Sequence, residues 1–580
     1  MRRKLGRLAA VLGCLSLGSL VLTACAGGQV RHGVGGPNTV SFALPPSATP
    51  NWILPLPIPG YTASYNGVIQ SALFVPLYAY DGSSGEVGMD QRASAAEPPV
   101  YAPDGKSVTI TLKPLTWSDG MPMTTKDVQF WLDMVRAAKD DWGAYSKGLM
   151  PDNVTGFHIV DDHTFTLTMD KTYNPGWFTA NQLTLITPLP QHAWAKDPDP
   201  RKAFDYLVGQ AKQLGAYNTN PLWKVVNGPF ALDSFSSSQI TLAKNPRYTG
   251  PDAAHLDKVT FLTFTSSAAE YNVLLAGGVD YGYVPTTNLG QKGKLESLGY
   301  RVEPWNGWSI TYIPYNFNNP ALGKAFEQLY LRQAIQHAVD QKAISQVIWR
   351  GTATPGYGPV PQNNDPTFLS DVQKNNPYPF DLNASKKLLA DHGWRPGPDG
   401  VQECQDANAC GVAKGTRLSM TLLTESGSDE TDGTMQELKS ELSKAGIELR
   451  INAQPLNTVL ANGTTCEPSS PACAWQLSYF GTQGSWYFPA YPSGEQLFAT
   501  DAGVNFGNYR DKPTDDLITA STLSTSSQSM VDYSARLAEQ LPVIWMPNPP
   551  YQVSAIDSAL GGVTQDPMAG LQIQRWYRTR

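Results

Sequence analysis

Apolar and polar positions alternate along Thr39-Val40-Ser41-Phe42-Ala43-Leu44 and again along Val108-Thr109-Ile110-Thr111-Leu112, the period of a half-buried strand. A turn at Pro103-Asp104-Gly105-Lys106 leads into the second run. Phe157-His158-Ile159-Val160 and Thr164-Phe165-Thr166-Leu167 alternate in the same way. Elsewhere the period changes. Val128, Trp131, Leu132 and Val135 recur at helical spacing, behind an Asp119-Gly120 turn. Thr124 can cap that helix, and Asp127 falls in its first turn, where the helix dipole favours an anion. Leu438 to Leu449 reads as a helix, a stop at Gly446 and a strand. Gly (51) and Pro (46) are abundant and only 16% of residues are charged, so a loop-rich α/β chain is expected.

The first residues follow a different pattern. Arg2, Arg3, Lys4 and Arg7 precede an apolar run of roughly fifteen residues, too short for a good membrane span but right for a secretory signal. It ends in Leu22-Thr23-Ala24-Cys25, followed by Ala26-Gly27-Gly28, which resembles a bacterial lipobox. That resemblance implies removal of residues 1–24, lipidation of Cys25, and anchoring to the outer face of the cell membrane by more than one acyl chain. Residues 25–38 then form a lipidated Cys and a Gly-rich flexible tether. Cleavage would take four of the 43 basic residues and no acid, leaving 39 against 50, a net charge of −11. An acidic body has no electrostatic footprint for nucleic acid. Its length exceeds what one hydrophobic core usually supports, so two or more lobes are expected.

Four further cysteines fall in two close pairs, Cys404 with Cys410 and Cys466 with Cys473. An oxidising exterior favours disulfides, and pairing each with its near neighbour is the simplest of the possible connectivities. A metal site built from all four is the alternative, but its cysteines would normally stand about two to four residues apart.

The wording of the helical segment is more specific than its period. Trp117-Ser118-Asp119-Gly120-Met121-Pro122-Met123-Thr124-Thr125-Lys126-Asp127-Val128-Gln129-Phe130 closely resembles the signature of family 5 extracellular solute-binding proteins, the receptors of peptide, nickel and related ABC importers. The resemblance continues in order. Asn227-Gly228-Pro229-Phe230 with Asn245-Pro246-Arg247-Tyr248 is similar to the family's G-P-(Y/F)…N-P-x-Y strand pair. Tyr315-Asn316-Phe317-Asn318, Leu331-Arg332-Gln333-Ala334-Ile335 and Ala338-Val339-Asp340 resemble its next strand and helix. Ala384 to Trp394 and Leu438 to Leu449 match two more motifs.

What this resemblance implies is a two-lobed, hinged, periplasmic-binding-protein-like clamp of the class II type, with an additional small domain in the first lobe. Lobe I is expected at residues 39–75, 222–314 and 550–580, the inserted subdomain at 76–221 and lobe II at 315–549, with hinge crossings near Tyr315 and Tyr551. The implied function is that of a monomeric receptor that encloses a peptide or other small solute between its lobes and delivers it to ABC permease subunits. Two alternatives stand beside it: a non-transport lipoprotein with the same clamp, acting as an envelope regulator or partner-binding protein, and a receptor for a sugar-type ligand.

The resemblance also points to the segment Trp475 to Trp486 as part of the ligand cleft. Many peptide-binding members carry a carboxylate there that pairs with the ligand's α-ammonium group. Here the corresponding position is Thr482, and the chain holds no acid between Glu467 and Glu495. A second family acid is also missing, since the L-(Y/F)-E-G-L motif reads Leu73-Phe74-Val75-Pro76-Leu77. Burying an ammonium without a counter-charge is costly, so the usual anchor for a free peptide N-terminus is not expected. Trp308, Tyr479, Phe480 and Trp486 are the aromatic ligand-binding candidates, and Tyr145 joins them from its family position. Trp117, Asp119, Asp127, Arg332 and Asp340 are expected to be structural.

Enzymatic chemistry finds little support. There is no Gly-x-Ser-x-Gly elbow and no His-Glu-x-x-His. The histidines are scattered; only His158 and His163 lie close, at strand positions expected to be exposed. No catalytic residue, metal or cofactor is expected.

Overall fold

The computed structural model describes residues 36–45, 48–82, 87–362, 366–479, 486–488, 490–568 and 570–579. Cys25, the signal segment, Phe480 and Thr482 lie outside the described residues.

A seven-stranded mixed sheet takes its strands from three distant stretches of chain. Its order is Tyr300–Trp305, Gln552–Asp557, Tyr281–Tyr283, Thr39–Ala43, Lys258–Leu262, Gln239–Lys244 and Phe230–Phe235. Thr39–Ala43 runs parallel to both of its neighbours, and the remaining pairs are antiparallel. Alternation along Thr39–Ala43 sends Val40 and Phe42 into one hydrophobic core, while Ala43 joins a smaller one on the other side. Phe42, Phe261, Tyr281 and Trp576 form the aromatic centre of the first core, with Tyr281 and Trp576 stacked at 5.5 Å.

The stretch expected as an inserted subdomain builds a four-stranded antiparallel sheet, ordered Val100–Tyr101, Ser107–Thr111, Thr164–Met169, Val154–Ile159. Val108, Ile110, Phe165 and Leu167 belong to the same core as Phe42, so this sheet is welded onto the larger one. His158 and His163 are both exposed on it. The helix Thr125–Ala137 shows why its motif reads as it does. One carboxylate oxygen of Asp127 accepts from the Thr124 amide at 2.8 Å and the Trp117 indole at 3.2 Å, and the other accepts from the Gln191 amide at 2.9 Å. Asp127 therefore closes the helix N-terminus and pins the preceding turn to it.

In the C-terminal half, three parallel strands (Glu448–Gln454, Ser419–Glu425, Leu477–Tyr479) form a second sheet. Ser309–Pro314 pairs antiparallel with Val543–Met546 and with Trp486–Tyr487, and a bridge between Tyr315 and Leu477 joins it to the three parallel strands. Ser309–Pro314, expected in the first lobe, thus pairs only with strands of the second, because its apolar side chains fill the second lobe's cores. The chain leaves the large sheet at Trp305, not near Tyr315, and returns to it at Gln552. The two crossings touch: the Tyr551 amide donates to the Trp305 carbonyl, and their rings lie 4.3 Å apart. Arg332 is buried, its guanidinium donating to the carbonyls of Phe326 and Gln540, and Asp340 caps the next helical turn through the Ala343 amide.

Candidate functional site

The helix Ser64–Leu73 packs Tyr65, Ile69 and Leu73 into the core. Its opposite side, Asn66, Gly67, Gln70 and Ser71, with Phe74 just beyond, borders a cavity of about 410 Å³. That spacing is a single helical face. The other walls come from Pro55, Pro57 and Tyr61, from Trp142 to Ala144, from Thr184, Leu185 and Thr187, and from Trp486, Gln496 and Val504. Residues expected in all three structural units therefore meet around one space.

Local geometry fixes several of these groups. Gln70 donates its amide to the carbonyls of Trp52 and Leu54, which holds the 52–57 loop against the helix. Asn66 exchanges hydrogen bonds with Asn51. The Gly143 amide donates to the Pro57 carbonyl at 2.8 Å, and a Cβ there would come within 3.2 Å of Ile58 and Thr62. Trp142 is buried edge-to-face against Trp131, and its indole N–H has no partner among the described residues.

Of the aromatic candidates, Trp486 borders the cavity. Tyr145 lies next to the wall but points its hydroxyl at Asp152, 2.7 Å away, with Lys139 over its ring. Trp308 and Tyr479 sit in the hydrophobic cores of the second half and are not among the lining residues, Trp308 from just before strand Ser309–Pro314 and Tyr479 from the end of strand Leu477–Tyr479. Tyr61, Phe74, Trp142 and Gln496 are lining residues that the sequence did not single out as ligand-binding. The helical spacing 66, 67, 70, 71, 74 was the signal available for one wall.

The loop ahead of strand Leu477–Tyr479 is held by a disulfide and three asparagines. Cys466–Cys473 and Cys404–Cys410 are both disulfides. Asn318 donates to the Cys466 carbonyl at 2.7 Å, Asn319 to the Cys473 carbonyl at 3.0 Å, and Asn316 to the Trp475 carbonyl at 2.9 Å. Asn316, Asn318 and Asn319 thus fix the disulfide loop ahead of strand Leu477–Tyr479.

Around the cavity, the two halves are joined by contacts rich in buried acids. Asn181 donates to Glu495 Oε1 at 2.8 Å, to Ser493 and to the Tyr491 carbonyl. Ser146 donates to the Glu495 carbonyl, and the Gly503 amide to that of Tyr145. Burial pushes the Glu495 carboxyl up, favouring its neutral form. Elsewhere between the halves, Glu430 accepts from the Thr286 amide at 2.6 Å, and Tyr65 donates to Asn457 at 2.8 Å. Nearby Glu425 accepts from Thr431 and is pushed up to about 8, chiefly by burial. Glu270, which accepts from the Tyr283 amide, is raised well above the ordinary range for the same reason. Among the described residues, no group of three or more His, Cys, Asp or Glu is placed to hold a metal, and no helix is long and apolar enough to cross a membrane.

The profile described as "Bacterial extracellular solute-binding proteins, family 5 Middle" matches residues 92–503. Protein XP55 of Streptomyces lividans is 26% identical over 438 residues, covering 74% of this chain and 70% of that protein. The oligopeptide-binding protein AppA of Bacillus subtilis is 23% identical over 536 residues, covering 88% of this chain and 90% of its own length. The solved structure of AppA in complex with a nonapeptide shares the fold, with a TM-score of 0.77 at 19% identity, covering 95% of this chain and 100% of that one. A fold of two linked sheet systems around one cavity, with a profile match across most of the chain, makes this protein a member of the bacterial extracellular solute-binding proteins, family 5.

Proposed function

We propose that this protein is the substrate-binding receptor of an ABC importer for oligopeptides or peptide-like solutes. The cavity carries the reading, because it is lined by residues from both halves of the chain and so is completed only when they come together. Ligand enclosed there shifts the population toward the closed form, which a permease subunit then accepts. The work is binding, with no chemical step. Lipidation at Cys25 holds the receptor at the outer face of the cell membrane. The names of several relatives support the peptide class, among them the oligopeptide-binding protein OppA of Lactococcus lactis.

Native mass spectrometry of the purified protein tests this reading. A bound mass that fragments as a peptide is expected. A bound glycan would replace the peptide with a sugar-type ligand. A protein that carries nothing, and takes up neither a peptide nor a sugar pool, would instead favour a partner-binding lipoprotein.

A further inference from the structure

Among the described residues, none that lines the cavity is Asp, Glu, Lys, Arg or His. In sequence, the stretch 468–494 that includes Trp486 contains no charged side chain of either sign. Carboxylates adjacent in sequence to lining residues are engaged elsewhere: Asp141, before Trp142, pairs with Arg201 at 2.6 Å, and Glu495, before Gln496, faces Asn181. What the walls offer is neutral. The Tyr61 hydroxyl, the Thr62 and Thr187 hydroxyls and the Gln496 amide make no hydrogen bond among the described residues, and the Trp142 indole N–H is buried without a partner.

A free ammonium or carboxylate brought into this space would lose its water and meet no counter-charge, which is strongly unfavourable. Amide N–H and C=O groups would meet hydroxyl, amide and indole partners of matching polarity. Apolar side chains would meet prolines and the rings of Trp142 and Trp486. Resting on the peptide reading above, we infer that the enclosed part of the ligand is uncharged: a peptide whose ends are blocked or joined in a ring, with neutral side chains.

The test is calorimetric titration of the purified protein with one pool of tetrapeptides of neutral side chain, supplied free, N-acetylated, C-amidated, blocked at both ends, and cyclised. The doubly blocked and cyclic forms should bind at least tenfold more tightly than the free form, about 1.4 kcal/mol. Equal or tighter binding of the free form overturns the inference and leaves the peptide reading standing. Failure of every form to bind brings down the peptide reading itself, and this inference with it.

A charge placed in the wall should reverse the order. Gln496→Glu should shift preference tenfold toward the form with a free N-terminus and an amidated C-terminus, and Thr187→Asp, on a different wall, should do the same. Both variants are checked for an unchanged unfolding transition. An unchanged preference in two folded variants would show that the ligand's ends lie outside this cavity and overturn the inference.

Discussion

The cavity and the contacts that flank it are built from opposite chemistry. Asn66, Gln70, Trp142, Trp486 and Gln496 line the cavity without a charge among them. Elsewhere Glu270, Glu425, Glu430 and Glu495 are buried, and Glu430 and Glu495 accept hydrogen bonds from the other half of the chain. Buried acids are tolerable where hydrogen-bond donors come from the protein itself, and each of these four has at least one. In the cavity the unengaged donors of Trp142 and Gln496 are left for the ligand. The difference teaches that in this chain, carboxyl groups hold protein to protein, and neutral groups are left for the solute.

Removing a donor from the acid-rich side should have the largest effect. Asn181→Ala strips the Glu495 carboxyl of its amide partner and leaves Ser493 and the Tyr491 carbonyl short of a donor. A loss of about 3 kcal/mol is expected, the upper end of what an orphaned buried group costs, read from the urea midpoint. A loss within experimental error would mean that Glu495 finds water or another donor, and the contrast between the regions would weaken. On the neutral side, Trp486→Ala should leave the unfolding midpoint nearly unchanged and weaken ligand binding by about 2 kcal/mol, roughly thirtyfold. A variant that loses stability and keeps affinity would assign Trp486 to packing.

The double replacement Cys466→Ser with Cys473→Ser sharpens the link between scaffold and site. A loss of about 2 kcal/mol in stability is expected from reopening this short loop. Affinity should fall with it, because the loop precedes strand Leu477–Tyr479 in the half that supplies Trp486 to the cavity.

The pH dependence gives the gentlest test. Glu425 sits at about 8 in the folded protein against an ordinary 4.5, so the folded state holds its proton over a range where the unfolded state has released it. Its contribution is therefore fully present below about pH 4.5 and is lost as pH rises toward 8. Glu425→Gln should flatten that part of the stability profile. A slope identical to that of the parent would show that Glu425 titrates normally.

The fold was legible in the sequence to a greater depth than the site. Trp117, Thr124 and Asp127 bond to one another across ten residues, so their spacing carries their structure. The same holds for the alternating strands and for the close cysteine pairs, where neighbours in sequence are neighbours in space. The site is assembled from four stretches more than a hundred residues apart at the extremes, and no periodicity connects them. Trp142 stands in a turn, where spacing says nothing about direction. Trp308 and Tyr479 are aromatics beside or on lobe-edge strands, and only the packing of the sheets decides that they face the core and Trp486 faces the cavity. The absence of acid between Glu467 and Glu495 was visible from the start. Its companion, a cavity with no charged side chain among its described lining residues, required the three-dimensional arrangement.

The most direct measurement is a crystal structure of the protein with the tightest-binding member of the tetrapeptide pool. The peptide is expected between helix Ser64–Leu73 and Trp486, with Gln496 and Thr187 at its backbone and no carboxylate in hydrogen-bond reach of it. A peptide found there with a free ammonium paired to an acid, or a peptide bound elsewhere on the protein, would contradict it.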